Sequence, residues 1–407
     1  MPNPEYPESL FRKFIGTSLS FSGSDVWRRI RRIVSPAFNH AWPTRAIGET
    51  TIRMFDVIEK EEFQRRGGSA RMGVVPFDIY LGRLTMDVLG RTAYGFDFNS
   101  LENPESKYAV LLATIVRKLC NPVYILFPFL DGLPGFRRDQ LSAQIDELDD
   151  MLFAVIDQKR QELAETPLKD RANADILTLM IEACQDPTAP RITNKELRDN
   201  VVVFYLAGQE TTAGALGFWM YMLAQNPRVQ TTVRREVLAV MGDAPTDLIP
   251  NDGQLKAMVY LDASIRENLR YNPPLPAIVA RENMTDQIIC GHLIPKGNRI
   301  GTHVLALQHH PNHYELPEQF RPERFLDVNM AEPKDGGLAP FIPFGSGPRQ
   351  CIAKNFSLME QRVVTSMILR KYTWTLQLDK NGCDPVTSPP FDLNRPENLH
   401  LCITKRY

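Results

Sequence analysis

"FIPFGSGPRQCIAKNF", residues 341–356, presents one cysteine at the end of a loop that carries two glycines, a proline and an arginine. A segment able to form a helix follows it. No second cysteine stands near enough to make a zinc pair. A lone thiolate is a strong, soft ligand, able to hold a metal-bearing cofactor from one side. It must then stay deprotonated, and a helix beginning just past Cys351 offers backbone N–H groups and a positive dipole end for that purpose. Gly345 and Gly347 let the loop backbone approach a flat cofactor closely. Taken by itself, a loop cysteine that merely packs fits the same residues.

The rest of the chain narrows the choice. Lysine and arginine number 47 against 48 aspartates and glutamates in 407 residues, so no basic excess exists to bind nucleic acid. The six cysteines are scattered without a C-x-x-C pair, which fits a reducing compartment better than a disulfide framework. No apolar run reaches the ~20 residues that span a bilayer, and "VVVFYLAG", Val201–Gly208, is too short. "MPNPEYPESLF" at the start has neither a basic nor an apolar signal region.

Periodicity predicts a large helical body. Thr193 as N-cap with Glu196 three residues later opens a helix of about thirty residues that Pro227 closes. Its middle is apolar on all sides, so it should be central and buried. Further helices are expected at Val26–Phe38, Thr44–Arg65, Leu81–Ala93, Gln140–Leu163, Ala174–Ala183, Arg228–Met241, Val259–Tyr271 and Ile352–Leu369. Strands are expected only at Gln287–Ile289, Arg299–Thr302 and in "WTLQLD" and "LHLCIT" near the end. Pro-rich loops lie at Asn272–Pro276 and Pro333–Pro348. The fold class is mainly α (α+β), with small β-sheets.

Four more constellations bear on chemistry. "AGQETT", Ala207–Thr212, sets Glu210 and Thr211 inside the apolar central helix, where polar groups are costly unless paired or used. Phe204, Ala207, Gly208, Thr211 and Ala215 share a stripe with room for a ligand, or with room for another helix. "ENLR" puts Glu267 and Arg270 at i and i+3, which is most often a solvated pair, and "FRPERF" adds Arg324. "DVWRRIRRIVSPAF" sets Trp27 and Arg31 one turn apart; Arg28, Arg29 and Arg32 point elsewhere and offer a basic face. Arg281 precedes Asp286 and Gly291 before a small hairpin and pairs within it or reaches a ligand.

Phe344-x-x-Gly347-x-Arg349-x-Cys351 resembles the haem-binding loop of the cytochrome P-450 family, with Ala353 where that family usually has glycine. The other four constellations occur in the family's order, so the resemblance covers Trp27 to Ala353. It implies haem b with Cys351 as axial thiolate, Phe344 beside it, and Trp27, Arg31, Arg281 and Arg349 at the propionates. It implies proton delivery by Thr211 and Glu210 during oxygen activation, and a structural triad of Glu267, Arg270 and Arg324. A substrate pocket is expected at Phe204, Ala207, Thr211, Leu275, Ala277, Ile278, Val279 and the turn near Pro389–Phe391.

The activity so implied is a haem-thiolate monooxygenase that inserts one atom of O2 into a small apolar organic substrate. Its electrons come from NADPH through a cytochrome P-450 reductase, or from a ferredoxin. A hydroperoxide isomerase or dehydratase is the rival that needs no reductase; an inactive, truncated haem-binding relative is another. The resemblance also implies one domain over residues 1–407 that lacks an N-terminal portion, since Trp27 arrives early. The missing part would carry most of the small sheet and a membrane anchor, placing a full-length parent at the cytosolic face of the endoplasmic reticulum.

Overall fold

In the computed structural model the described residues are 9–38, 44–64, 71–165, 174–184, 192–326, 341–389 and 393–407. The fold is organised around the helix Asn194–Gln225, 32 residues and roughly 48 Å long at 1.5 Å per residue. Its start is the expected capping box. Thr193 accepts the Glu196 N–H at 3.1 Å, and the Glu196 carboxylate accepts the Thr193 N–H at 2.9 Å. Asn226 ends it, and Pro227 takes the first position of the next helix, Pro227–Met241.

Other helices wrap this axis and are tied to it by polar bridges. Thr85 of Phe77–Leu89 donates to the carbonyl of Gln209, whose amide donates to the carbonyl of Gly82, each at 3.1 Å. From Val259–Tyr271, Asn268 donates to the Ala215 carbonyl at 2.8 Å, and Ser264 accepts from Trp219 at 2.9 Å. Each bridge meets a polar group that burial would otherwise leave unpaired. The apolar side chains between the helices form a continuous core that reaches from Leu10 to Ile403.

Among the described residues seven strands make three small antiparallel sheets. β1 (Met72–Pro76), β7 (His400–Lys405) and β6 (Tyr372–Leu376) pair in the order β1-β7-β6, with Val75 opposite Leu401 and Trp374 opposite Ile403. β2 (Ile278–Glu282) pairs with β5 (Arg299–Thr302), and β3 (Gln287–Ile289) with β4 (His292–Ile294). The predominantly helical architecture is thus as the sequence predicts.

Several boundaries differ. β1, β2 and β4 carry no clean alternation and escape the sequence reading, as does the helix Lys107–Leu119. The helix after Cys351 begins at Lys354, two residues later than expected. Two helices loosen into π turns at Glu59–Gln64 and Gly90–Tyr94. Arg65, residues 333–340 of the Pro333–Pro348 loop, and Pro390 and Phe391 lie outside the described residues.

Candidate active site

The cysteine loop takes its shape from two left-handed residues, Gly345 and Gly347, both at φ +70°. Between them the chain doubles back, so that the Cys351 N–H donates to the Phe344 carbonyl at 2.9 Å and the Gln350 N–H to the Gly347 carbonyl at 3.0 Å. Phe344 packs its side chain against the core. Cys351 itself is exposed, yet enough protein surrounds the thiol for burial to push it up. The Ala353 N–H, Arg31 and Lys354 pull in the opposite direction, toward the thiolate.

Three guanidiniums gather around this loop. Arg31, from the helix Ser24–Phe38, donates to the Gln350 carbonyl at 3.1 Å and feels the charge of Cys351. Arg349 donates to the Ser22 carbonyl at 3.1 Å and stacks over the Trp27 ring at 4.4 Å. Burial, and then the charge of Arg281, lowers the proton affinity of Arg349. Arg281 sits on β2 opposite Ile300. Asp286 accepts the Lys296 N–H at 2.8 Å, and no ion pair joins it to Arg281 among the described residues. No described carboxylate pairs with Arg31, Arg281 or Arg349. A soft sulfur donor beside three arginines that have no acidic partner among the described residues suits a flat metal cofactor that carries its own carboxylates. Haem b has that donor requirement, and these residues fit it.

The remaining arginines of the Trp27 helix behave differently. Arg28 pairs with Asp25 at 2.7 Å and Arg29 with Glu196, so two of the three arginines of the expected basic face meet a carboxylate.

On the central helix, burial breaks where the polar motif lies: Ala207 is exposed, although residues 201–205 and 214–220 are closed in protein. Thr211 lines this opening and returns its hydroxyl to the Ala207 carbonyl at 2.5 Å. Glu210 is turned elsewhere, to Arg395 at 2.8 Å. Thr212, its neighbour, reaches Ser357 of the helix Lys354–Lys371 at 3.1 Å. That bond brings the polar motif and the cysteine loop together, since Ser357 stands six residues beyond Cys351.

The stripe expected as a pocket wall is uneven. Phe204 is buried, edge to face with Phe38 at 5.2 Å, and Ala215 is buried as well. Leu275, Ala277 and Val279 are exposed, while Ile278 lies within 3.8 Å of where a Cβ on Gly345 would be. The segment 275–279 therefore runs beside the cysteine loop.

Glu267, Arg270 and Arg324 meet in the core. Arg270 grips both Glu267 oxygens at 2.8 and 2.9 Å, and Arg324 adds a contact at 3.3 Å. The Arg321 N–H also donates to Glu267, at 2.8 Å. Arg270 and Arg324 spend their other donors on the carbonyls of Gln308, Pro317, Glu315 and Leu316. Gln308, fully buried, links this knot to the cysteine loop. Its carbonyl accepts from Arg270, its amide donates to Leu269 and Arg270, and its Oε1 accepts the Ile342 N–H at 3.0 Å. Sequence reasoning misses Gln308, Ser357 and Arg395, because each has its partner far along the chain and no motif of its own.

Comparison with known proteins agrees with this geometry. The family model described as Cytochrome P450 matches residues 2–403. Cytochrome P450 3A13 of Mus musculus is 30% identical over 399 residues, which cover 96% of this chain and 76% of that protein. Cytochrome P450 3A5 of Homo sapiens is 30% identical over 386 residues, covering 91% and 73%. Among solved structures, the heme domain of cytochrome P450DA superposes with a TM-score of 0.81 at 23% identity, covering 100% of this chain and 83% of that one. The last likeness bears on the fold alone.

Proposed function

The chain belongs to the cytochrome P450 family and is a haem-thiolate monooxygenase, and from that premise we propose how its residues serve the reaction. The carrying observation is the exposed Cys351 thiol amid Arg31, Arg281 and Arg349, none of which has a described acidic partner. Cys351 would supply the thiolate that holds the iron. Arg31, Arg281 and Arg349 would hold the two cofactor carboxylates, with Trp27 as the platform under Arg349. Haem b, when bound, supplies O2 activation and the insertion of one oxygen atom into substrate.

The chain's own work is positioning and proton handling. Phe344, through its carbonyl, and Gly347, through its left-handed turn, set the direction of Cys351. Burial holds Cys351 on the thiol side, and the Ala353 N–H, Arg31 and Lys354 offset part of that cost of forming S⁻. Thr211 holds a hydroxyl at the opening beside Ala207, and Glu210 is the adjacent acid; in this reading the two pass protons inward. Glu267, Arg270 and Arg324 do no chemistry. They fix the loop through Gln308.

The substrate in this reading is a small apolar organic molecule, lying between Ala207 and the exposed side chains of Leu275, Ala277 and Val279. Ile278 and Phe204 back these walls. Electrons come from NADPH through a reductase, at the cytosolic face of the endoplasmic reticulum. Among the described residues no helix is long and apolar enough to cross a membrane.

A reduced carbon-monoxide difference spectrum tests the ligand assignment. The haem-loaded chain is expected to give a thiolate-type band, and Cys351→Ala to lose it. A Cys351→Ala variant that kept the band would overturn the assignment. Product formed with O2 and NADPH, and not with a hydroperoxide alone, separates the monooxygenase from a peroxide isomerase.

A further inference from the structure

The acid of the polar motif does not face the opening that its neighbour lines. Residues 210 and 211 are adjacent on a helix, so their side chains diverge by about 100°. Thr211 is turned back on the Ala207 carbonyl, whereas the Glu210 carboxylate meets Nη1 of Arg395 at 2.8 Å. Both partners of that pair are partly shielded, with side-chain exposures of 33% for Arg395 and 20% for Glu210. A charge-assisted bond in such a place holds a side chain in one direction far better than a solvated pair does.

The loop that carries Arg395 is itself fixed on two sides. Asn394 donates its N–H to the Pro274 carbonyl at 2.9 Å and its amide to the Pro273 carbonyl at 3.3 Å. Pro396 presses on the central helix so closely that a Cβ on Gly217 would stand 2.7 Å from its ring. Arg395 lies between these anchors, one turn along the helix from Glu210, where a Cβ on Gly214 would meet it at 3.1 Å. Pro273 and Pro274 lead directly into the exposed segment 275–279. The loop therefore joins that segment to the acid.

We propose that Arg395 is the positioning residue for Glu210: it holds the carboxylate in its charged form, away from Thr211, and so governs when this acid takes part in proton delivery. The inference rests on the monooxygenase reading and adds a residue outside every motif of the sequence. One proton enters at the Glu210 carboxylate from water, and one leaves through the Thr211 hydroxyl; no electrons move in the step. Among the described residues, titratable groups around the pair include Tyr205, on the same helix, and Glu397, whose carboxylate approaches the second nitrogen of Arg395 at 3.9 Å.

The test follows the carboxyl stretch of protonated Glu210 by infrared spectroscopy of the full haem-loaded chain across a pH series. The band is assigned by its absence in Glu210→Gln. In Arg395→Gln it is expected to appear at a pH higher by on the order of one unit or more, since a neighbouring cation favours the carboxylate. Arg395→Lys, which keeps the charge, is expected to restore most of the wild-type position. Arg395→Met, of similar length, serves in place of Arg395→Gln if that variant fails to fold. The same midpoint in wild type and in the neutral variant overturns the proposal. Absence of product with O2 and reductase-supplied electrons overturns the monooxygenase reading instead, and leaves the infrared comparison standing.

Discussion

At the scale of single residues, Glu360 shows what burial does to an acid that lacks a partner. It lies on the helix Lys354–Lys371, is 2% exposed, and its Oε1 has no hydrogen-bond partner. Burial alone pushes its carboxyl up to about 8 from the ordinary 4.5. The folded chain therefore keeps a proton that the unfolded chain gives up above the ordinary value. Stability is fully present below about 4.5 and declines as pH rises toward about 8, where the folded form also ionises. The loss amounts to a few kcal/mol, at about 1.4 kcal/mol per pH unit. Glu360→Gln is expected to flatten the pH dependence of denaturant stability across that window. Equal slopes for wild type and variant would refute it. Such a residue is invisible to pattern reading, because a glutamate in a helix looks the same whether solvent or core surrounds it. Cys351 is the opposite case: the glycines, Arg349 and the cysteine are local to one loop, so their spacing encodes its shape.

At the scale of elements, the helices declared themselves where their ends carry chemistry. Thr193 and Glu196 mark the central helix in the sequence as clearly as in the structure. The strands are legible in part: β3, β5, β6 and β7 stand where the sequence puts them, whereas β1, β2 and β4 carry no clean alternation to mark them. The triad lies between these cases. Glu267 and Arg270 are legible as neighbours on one face, but only the fold shows that both are buried and that Gln308 carries their order to the cysteine loop. Removing the one anion leaves Arg270 and Arg324 buried without compensation, a loss of about 3–5 kcal/mol. Glu267→Gln is accordingly expected to lower denaturant stability by that amount and to speed loss of haem from the chain. A change below about 1 kcal/mol, typical of a solvated pair, would show that the knot does not support the loop.

At the scale of the molecule, surface is the informative quantity. Much apolar surface lies open among the small strands and one loop region. Met284, Ile288 and Leu293 surround the β3–β4 hairpin, Val279 and Ile300 lie on β2 and β5, and Leu126 stands on the short helix Pro122–Leu126. Ile288 and Leu126 are 76% and 71% exposed, far beyond what scattered surface leucines and isoleucines need. The net charge of −1 supplies almost no repulsion to keep copies apart. Apolar patches of this extent on a nearly neutral protein favour association. The purified chain is thus expected to self-associate as its concentration rises, in sedimentation velocity, and to return to monomer in a mild non-ionic detergent. Ile288→Lys and Leu126→Lys should weaken the association without changing the carbon-monoxide spectrum, because neither residue touches the cysteine loop. A chain that stayed monomeric at every concentration without detergent would mean that these side chains are too dispersed to act as patches.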